Sequence, residues 1–224
     1  CVYDCMDELS AFRFAPPDLG ALEAELLSRA DLVFTGGQSL FAAKRRRHPD
    51  VHCFPSSVDT GHFARARRPL AEPADQAGIA RLRIGFVGVI DERIDLGLIA
   101  QAAGALPDVQ FVMLGPTAKI DPDALPRAPN IHWMGPRSYA DLPSYMAHWQ
   151  AAVADVVAAY GRQGLVTIAD AGTIATALRD SLEPQDADWR RAVDRTLASM
   201  SWAGTWAAMH ALVAARMRAT EGVR

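Results

Sequence analysis

The residues best suited to chemistry lie in one stretch, Arg83-Ile84-Gly85-Phe86-Val87-Gly88-Val89-Ile90-Asp91-Glu92-Arg93-Ile94-Asp95, where an apolar run passes into glycine and then into charge. This order of residue types suits an anion. A strand ending in glycine at the mouth of a parallel sheet lets the backbone approach a phosphate, and the next helix aims its N–H groups and positive dipole end at the same point. Arg93 would add a full charge. The stretch is not a dinucleotide fingerprint, because no third glycine follows Gly85 and Gly88 at the required spacing. An Arg93 paired with Asp91 or Asp95 is the plainer alternative, since charged neighbours at a helix start commonly pair.

Other chemistry has less support. The histidines His48, His52, His62, His132, His148 and His210 show no metal-ligand spacing, and no metal is expected. Cys1, Cys5 and Cys53 have no CxxC spacing and leave one thiol over in any pairing, which suits a reduced setting. No GxSxG occurs, and Ser56-Ser57 has no neighbouring base. The one dense basic run, Lys44-Arg45-Arg46-Arg47, could meet anionic lipid at a membrane surface, or be a solvated helix end favoured by the dipole.

Composition bounds the class. With 224 residues, half of them hydrophobic, the chain can bury one large or two small cores. A net charge of -3 disfavours nucleic-acid binding. No apolar run reaches the ~20 residues of a membrane span and no signal-peptide pattern opens the chain, so a cytoplasmic location is expected, peripheral at the inner membrane face if the basic run meets lipid. The chain opens on Cys1-Val2-Tyr3-Asp4, which reads as the end of a buried strand, so a preceding segment is expected.

The elements that must position these residues alternate. Val2–Asp4, Asp31–Thr35 and Val51–Phe54 read as strands, separated by helices at Leu19–Arg29 and Leu40–Arg47, the second capped by Ser39. Residues 64–81, rich in Arg, Pro, Glu and Ala without an apolar period, read as a linker. Strands then recur at Leu82–Val89, Val109–Leu114 and Ile131–Met134, with helices at Leu96–Ala105 and Asp141–Trp149. After an apolar run at Leu165–Ile168, helices start at Ala171, Asp186 and Ser201. Trp206, Met209 and Leu212 in the last read as core packing. The expected fold class is α/β, with two Rossmann-like doubly wound domains, the first only partly present. Residues 1–63 are expected to form the C-terminal part of the first domain, 64–81 the linker, 82–200 the second domain, and 201–224 a helix packing back across both.

Five segments, Tyr3–Phe12, Ala30–Gly37, Phe54–Asp59, Gly85–Arg93 and Asn130–Gly135, in this order and spacing, resemble the GT-B glycosyltransferases, specifically the family-four-like group, also called group 1 glycosyl transferases. The resemblance covers nearly the whole chain. It implies transfer of a sugar from a nucleotide-diphosphate donor to a polysaccharide or glycolipid acceptor, with retention and without a metal or other cofactor. Donor contacts implied by the family's pattern are Gly85, Gly88, Val89, Arg93, Gly115, Met134, Gly135 and Pro136, and acceptor-side positions are Asp4, Gly36 and Gly37. Two departures stand out. Val89 occupies the place of the family's first cation, and the helix bearing two glutamates beyond Trp149 is absent, so that an internal break in the chain between Trp149 and Asp155 is expected. No catalytic residue is assigned. A degenerate sugar-nucleotide-binding or scaffold module and a nucleotide-sugar epimerase stay open as alternatives, and a nicotinamide-dependent oxidoreductase ranks last.

Overall fold

Runs of apolar residues long enough to be buried on both faces, spaced by helices, give two parallel sheets. A computed structural model describes residues 1–12, 14–153, 165–198 and 200–221. The chain divides into two units, Cys1–Asp59 with Arg195–Arg224, and Thr60–Asp194.

The first unit carries a three-stranded parallel sheet of β1 (Val2–Cys5), β2 (Leu32–Thr35) and β3 (Val51–Cys53), in that order. Every residue of the central β2 is buried, as a strand covered on both faces requires. The helices α1 (Leu19–Arg29) and α2 (Gln38–Lys44) make the crossovers. α2 starts earlier than Ser39 capping would allow. Gly37, in extended backbone, is its cap, and the Gly37 carbonyl accepts from Phe41 N at 2.9 Å.

The second unit holds β4 (Arg83–Val87), β5 (Gln110–Leu114), β6 (Ile131–Gly135) and β7 (Ala151–Ala152), all parallel, in the order β6-β5-β4-β7. Strand periodicity splits its core in two. On one face Phe111 and Met113 pack with Ile84, Ile131 and residues of α5 (Leu96–Ala105); on the other Val112 and Leu114 meet Leu142 and Tyr145 of α6 (Leu142–Met146).

Two expectations change here. Residues 64–81 are not a free linker: this stretch contains α4 (Ala74–Ala77), follows α3 (Thr60–Phe63), and groups with the second unit. Gln76 of α4 is 0% exposed, donates from Nε2 to the Tyr145 carbonyl at 3.2 Å and accepts from Trp149 Nε1 at 2.8 Å. An amide so satisfied stabilises where an unpaired one would cost. The helix expected over Asp141–Trp149 shortens to α6 after a 3-10 turn at Tyr139–Asp141, and Trp149-Gln150 leads into β7. Gln150 N donates to Arg83 O at 2.9 Å and Val153 N to Gly85 O at 2.8 Å, so Trp149 to Val153 run along β4; the remainder of the segment where a break was expected lies outside the described residues.

Beyond them, α7 (Ile174–Ser181) and α8 (Ala187–Ala198) precede α9 (Trp202–Glu221), which groups with the first unit. Within that unit Ser57 Oγ and Thr205 Oγ1 lie 2.7 Å apart, and Val58 N donates to Met200 O at 3.1 Å. The aromatic stripe on α9 is not core. Trp206 is 68% exposed and Trp202 is exposed too, while Met209 and Leu212 are partly buried.

Candidate functional site

The carboxyl ends of β4, β5 and β6 meet as bare backbone. Gly88 N donates to Leu114 O at 3.0 Å and Gly115 N to Gly135 O at 3.0 Å, so the three glycines that end these strands share one edge. Gly115 has φ +150, and a Cβ there would lie 1.7 Å from the Gly88 carbonyl oxygen; no other residue type fits. Gly135 has φ +72, and the space its side chain would occupy is open.

The loops leaving this edge are joined to each other. Buried Ile90 donates from N to Pro116 O at 2.9 Å and accepts at O from Ala118 N at 2.9 Å, a short parallel bridge beyond the named strands. Within the first loop, Asp91 is buried and Arg93 grips it, Nε to Oδ1 at 3.0 Å and Nη2 to Oδ2 at 2.8 Å, with Arg93 N donating to Oδ1 at 3.0 Å. The Arg93 guanidinium holds the Asp91 carboxyl below the usual range despite burial. Arg93 itself is 57% exposed. Asp95 caps α5 by accepting from Leu98 N at 2.9 Å, so the helix N-terminus follows the turn directly.

Of the expected donor contacts, Gly88, Gly115 and Gly135 come together through backbone bonds, with Val89 exposed beside Gly88 and Pro136 exposed after Gly135. Met134 is partly buried against the Val112–Leu114 core. Gly85 takes a different part. It lies buried in the middle of β4, where a Cβ would fall 2.0 Å from the Trp149 ring, so its missing side chain makes room for an indole and not for an anion. On the acceptor side, Asp4 is exposed in edge strand β1. Gly36 is covered by the Met6 side chain, whereas Gly37 has open space around it.

Lys44 fits neither reading of the basic run, lipid contact or solvated helix end. It is 1% exposed, with Nζ 2.7 Å from Glu8 Oε2 and 2.6 Å from Glu23 Oε1, and Arg47 Nη1 lies 2.7 Å from Glu23 Oε2. Burial pulls the Lys44 ammonium down, but the two carboxylates outweigh it and its pKa rises. Arg45 and Arg46 remain exposed, Arg45 over the Phe41 ring at 5.4 Å.

Two groups near the glycine edge carry no recognisable motif in the sequence. Lys119, at φ +59 beyond the Pro116–Ala118 bridge, has Nζ 3.7 Å from Glu92 Oε1, which brings a second cation to the loop that holds Arg93. Only the adjacency of two glycine-ended strands hints at it. Glu92 Oε2 is buried without a hydrogen-bond partner among the described residues. The other group is Asp75 with Arg137, hidden in the sequence because Asp75 sits in the Pro- and Ala-rich stretch. Together the backbone edge, the α5 N-terminus and two cations are chemically equipped to receive a phosphorylated ligand. Among the described residues no three His, Cys, Asp or Glu side chains converge as metal ligands, and no helix is long and apolar enough to cross a membrane.

No protein-family model matches the chain. In sequence it is similar to TuaH of Bacillus subtilis, named as a teichuronic acid biosynthesis glycosyltransferase with an assignment its own name marks as provisional, at 26% identity over 161 residues. That match takes in 65% of this chain and 40% of TuaH, so the chain spans less than half of its relative's length. In structure it is similar to sucrose-phosphate synthase from Thermosynechococcus elongatus, with TM-score 0.67 at 17% identity over 97% of this chain and 68% of that one. It is also similar to Anabaena HepE, solved with UDP and glucose, with TM-score 0.53 at 18% identity over 67% of this chain and 45% of that one. The resemblance read from the sequence and the fold class, α/β units with parallel sheets of the GT-B type, both hold.

Proposed function

We propose that the chain is part of a glycosyltransferase that takes its sugar from a nucleoside-diphosphate donor, bound at the carboxyl edge of the β6-β5-β4-β7 sheet. The supporting observation is the glycine edge, where Gly88, Gly115 and Gly135 end three neighbouring strands without side chains of their own ahead of the N-terminus of α5, and Gly135 has open space beside it. TuaH is named for teichuronic acid biosynthesis and HepE was solved with UDP and glucose, which favours a nucleotide sugar as donor and a polysaccharide or glycolipid as acceptor.

In this reading the diphosphate is the leaving group, and its growing charge is met, without a metal, by the N-terminal dipole of α5 and by Arg93, since the Gly88 and Gly115 N–H groups are already given to Leu114 O and Gly135 O. At rest Arg93 is neutralised by Asp91, so a diphosphate would compete with that carboxylate for the guanidinium. Lys119, held against Glu92, stands by the same loop and partly makes up for Val89 in the place of a cation. The outcome that the resemblance implies is retention. Gly85 drops out of the donor contacts, and Asp4 and Gly37 remain acceptor-side candidates.

The test is direct. UDP and GDP should raise the melting temperature of the protein, a bound ligand adding RT ln(1 + [L]/Kd) to stability. Arg93→Ala should abolish the shift, read against the variant's own unliganded melting temperature, and should itself cost about 2 kcal/mol of stability because the buried Asp91 carboxylate loses its partner. Unchanged protection in Arg93→Ala would remove Arg93 from the donor site; no protection of the parent protein by either nucleotide would remove the donor reading.

One observation favours a second reading, a sugar-nucleotide-binding module without transfer activity. No glutamate stands between Glu92 and Glu183, so the carboxylate pair that the resemblance implies has no counterpart here. Binding of nucleotide without release of diphosphate from any of a panel of sugar nucleotides would select it.

A further inference from the structure

In a parallel sheet the crossover helices run back against the strands, so their C-terminal turns return to the amino edge. In the first unit those turns are basic. α1 ends at Arg29, and α2 is followed by Arg45-Arg46-Arg47. Buried His48 ties the two helix ends together, its Nε2 lying 3.0 Å from Ala30 O and its Nδ1 accepting from Asp50 N at 3.1 Å. α9 brings its last turns to the same edge, where Arg216 Nη2 lies 3.7 Å from Oδ1 of Asp31, the residue that leads into β2. Arg29, Arg45, Arg46, Arg47, Arg216 and Arg218 therefore border one edge of one sheet, and all six are exposed.

Carboxylates neutralise only half of them. Arg29 pairs with Glu25, Arg47 with Glu23 and Arg216 with Asp31. Arg45, Arg46 and Arg218 form no ion pair with a described residue, and Asp50, ahead of β3, is held by His52 Nε2 at 2.7 Å. Lys44 takes no part, being closed in by Glu8 and Glu23. The position of Arg45 over the Phe41 ring limits where its charge can go. Apolar side chains stand among these cations. Met217, 59% exposed, lies between Arg216 and Arg218 in the chain, and exposed Leu26 lies one turn before Arg29.

A surface of this kind suits a bilayer better than a soluble polyanion. Lipid phosphates complement the unpaired guanidinium groups, and the headgroup boundary takes up Met217 and Leu26, which a soluble polyanion would leave in water. We infer that the amino edge of the first sheet, through Arg45, Arg46 and Arg218 with Met217, is a docking face for an anionic phospholipid membrane. The inference does not depend on the donor reading. The contact is electrostatic with a shallow apolar part, and no segment enters the hydrocarbon. Gly37, beyond the opposite edge, stands clear of the lipid by about 13 Å or more, the length of the four-residue strand β2 at ~3.3 Å per residue.

Sedimentation of the whole protein with vesicles tests it, one set being phosphatidylcholine alone and the other containing about 30% phosphatidylglycerol. The protein should sediment with the second set and not with the first. Raising the ionic strength from about 0.1 M to about 1 M should release it, because the Debye length shrinks from ~10 Å to ~3 Å. Each basic side chain near an anionic surface strengthens partitioning roughly fivefold, so Arg45→Ala, Arg46→Ala and Arg218→Ala should each lose about that factor and the triple variant about 100-fold. All three side chains are exposed, and melting temperatures equal to the parent's verify the fold of each variant. Arg190→Ala, which removes an exposed arginine of α8 in the second unit, should bind as the parent does. No binding of the parent, equal binding to both vesicle sets, unchanged binding of the triple variant, or as large a loss in Arg190→Ala overturns the inference. A parent protein that binds inorganic polyphosphate and leaves the vesicles untouched also overturns it, and makes this edge a site for a soluble polyanion.

Discussion

The two parallel sheets end in different ways. At the carboxyl edge of the second sheet Gly88, Gly115 and Gly135 interlock as backbone, and Gly115 has no room for a single added carbon. In the first unit Gly37 follows β2 with nothing around it, and the tight packing lies instead in side chains, where Lys44 is closed in by Glu8 and Glu23. One unit keeps side chains away from its strand ends and the other uses charge to hold its helices and loops together. Sheets of similar topology can therefore serve a ligand or serve stability, depending on what occupies the space beyond the strands.

The sharpest way to break this contrast is Gly115→Ala. Backbone strain and overpacking against Gly88 O should together cost on the order of 4 kcal/mol, measured by urea unfolding. A loss below the change seen for Gly37→Ala would show that the edge is not close-packed. Next, Lys44→Met should cost about 3 kcal/mol, because two carboxylates lose their buried counter-ion. Its pH dependence has a definite sign. Burial raises the Glu23 carboxyl, but Lys44 and its other partners outweigh this and depress it, so its contribution is present above its unfolded pKa of ~4.3 and lost as pH falls through the folded value. The Lys44 pKa is raised, so its contribution is complete below ~10.4 and lost as pH rises through the folded value. The stability gap between parent and Lys44→Met should thus be widest between these limits and narrow in acid and in strong base.

Gly85→Ala should cost about 2 kcal/mol by pushing on Trp149, and a double-mutant cycle with Trp149→Leu should recover part of it. Full additivity would mean that the indole does not set the requirement for glycine. The smallest effect is expected at Gly37→Ala, within ~0.5 kcal/mol, since its surroundings are open and its φ of -168° suits any residue.

Much of the fold was legible because strand and helix leave different periods. Leu19–Arg29 and Leu96–Ala105 were readable to the residue from their apolar periods, and the Asp95 cap of the second emerged only in the structure. The short helix at Ala74–Ala77 was not, for it has no apolar period and is held by tertiary bonds of Gln76 and Asp75 that no local pattern announces. The site divided in the same manner. Gly88, Gly115 and Gly135 announce themselves as strand-ending glycines, but Gly85 looks the same in sequence and answers to Trp149, which lies 64 positions away along the chain. Lys44 misled because a run of four basic residues reads as surface, whereas its carboxylate partners arrive from two other segments. Lys119 beside Glu92 depends on which loops the sheet order makes neighbours, and Arg137 beside Asp75 on where α4 packs.

The contact between Gly115 and the Gly88 carbonyl has a genetic corollary. Where a side chain blocks a substitution, trimming that side chain elsewhere can rescue it, as Trp149 could for Gly85. At Gly115 the obstacle is the main chain, which every amino acid brings identically, so a library randomised at neighbouring positions would return no suppressor of that kind and position 115 should come back as glycine from every functional clone.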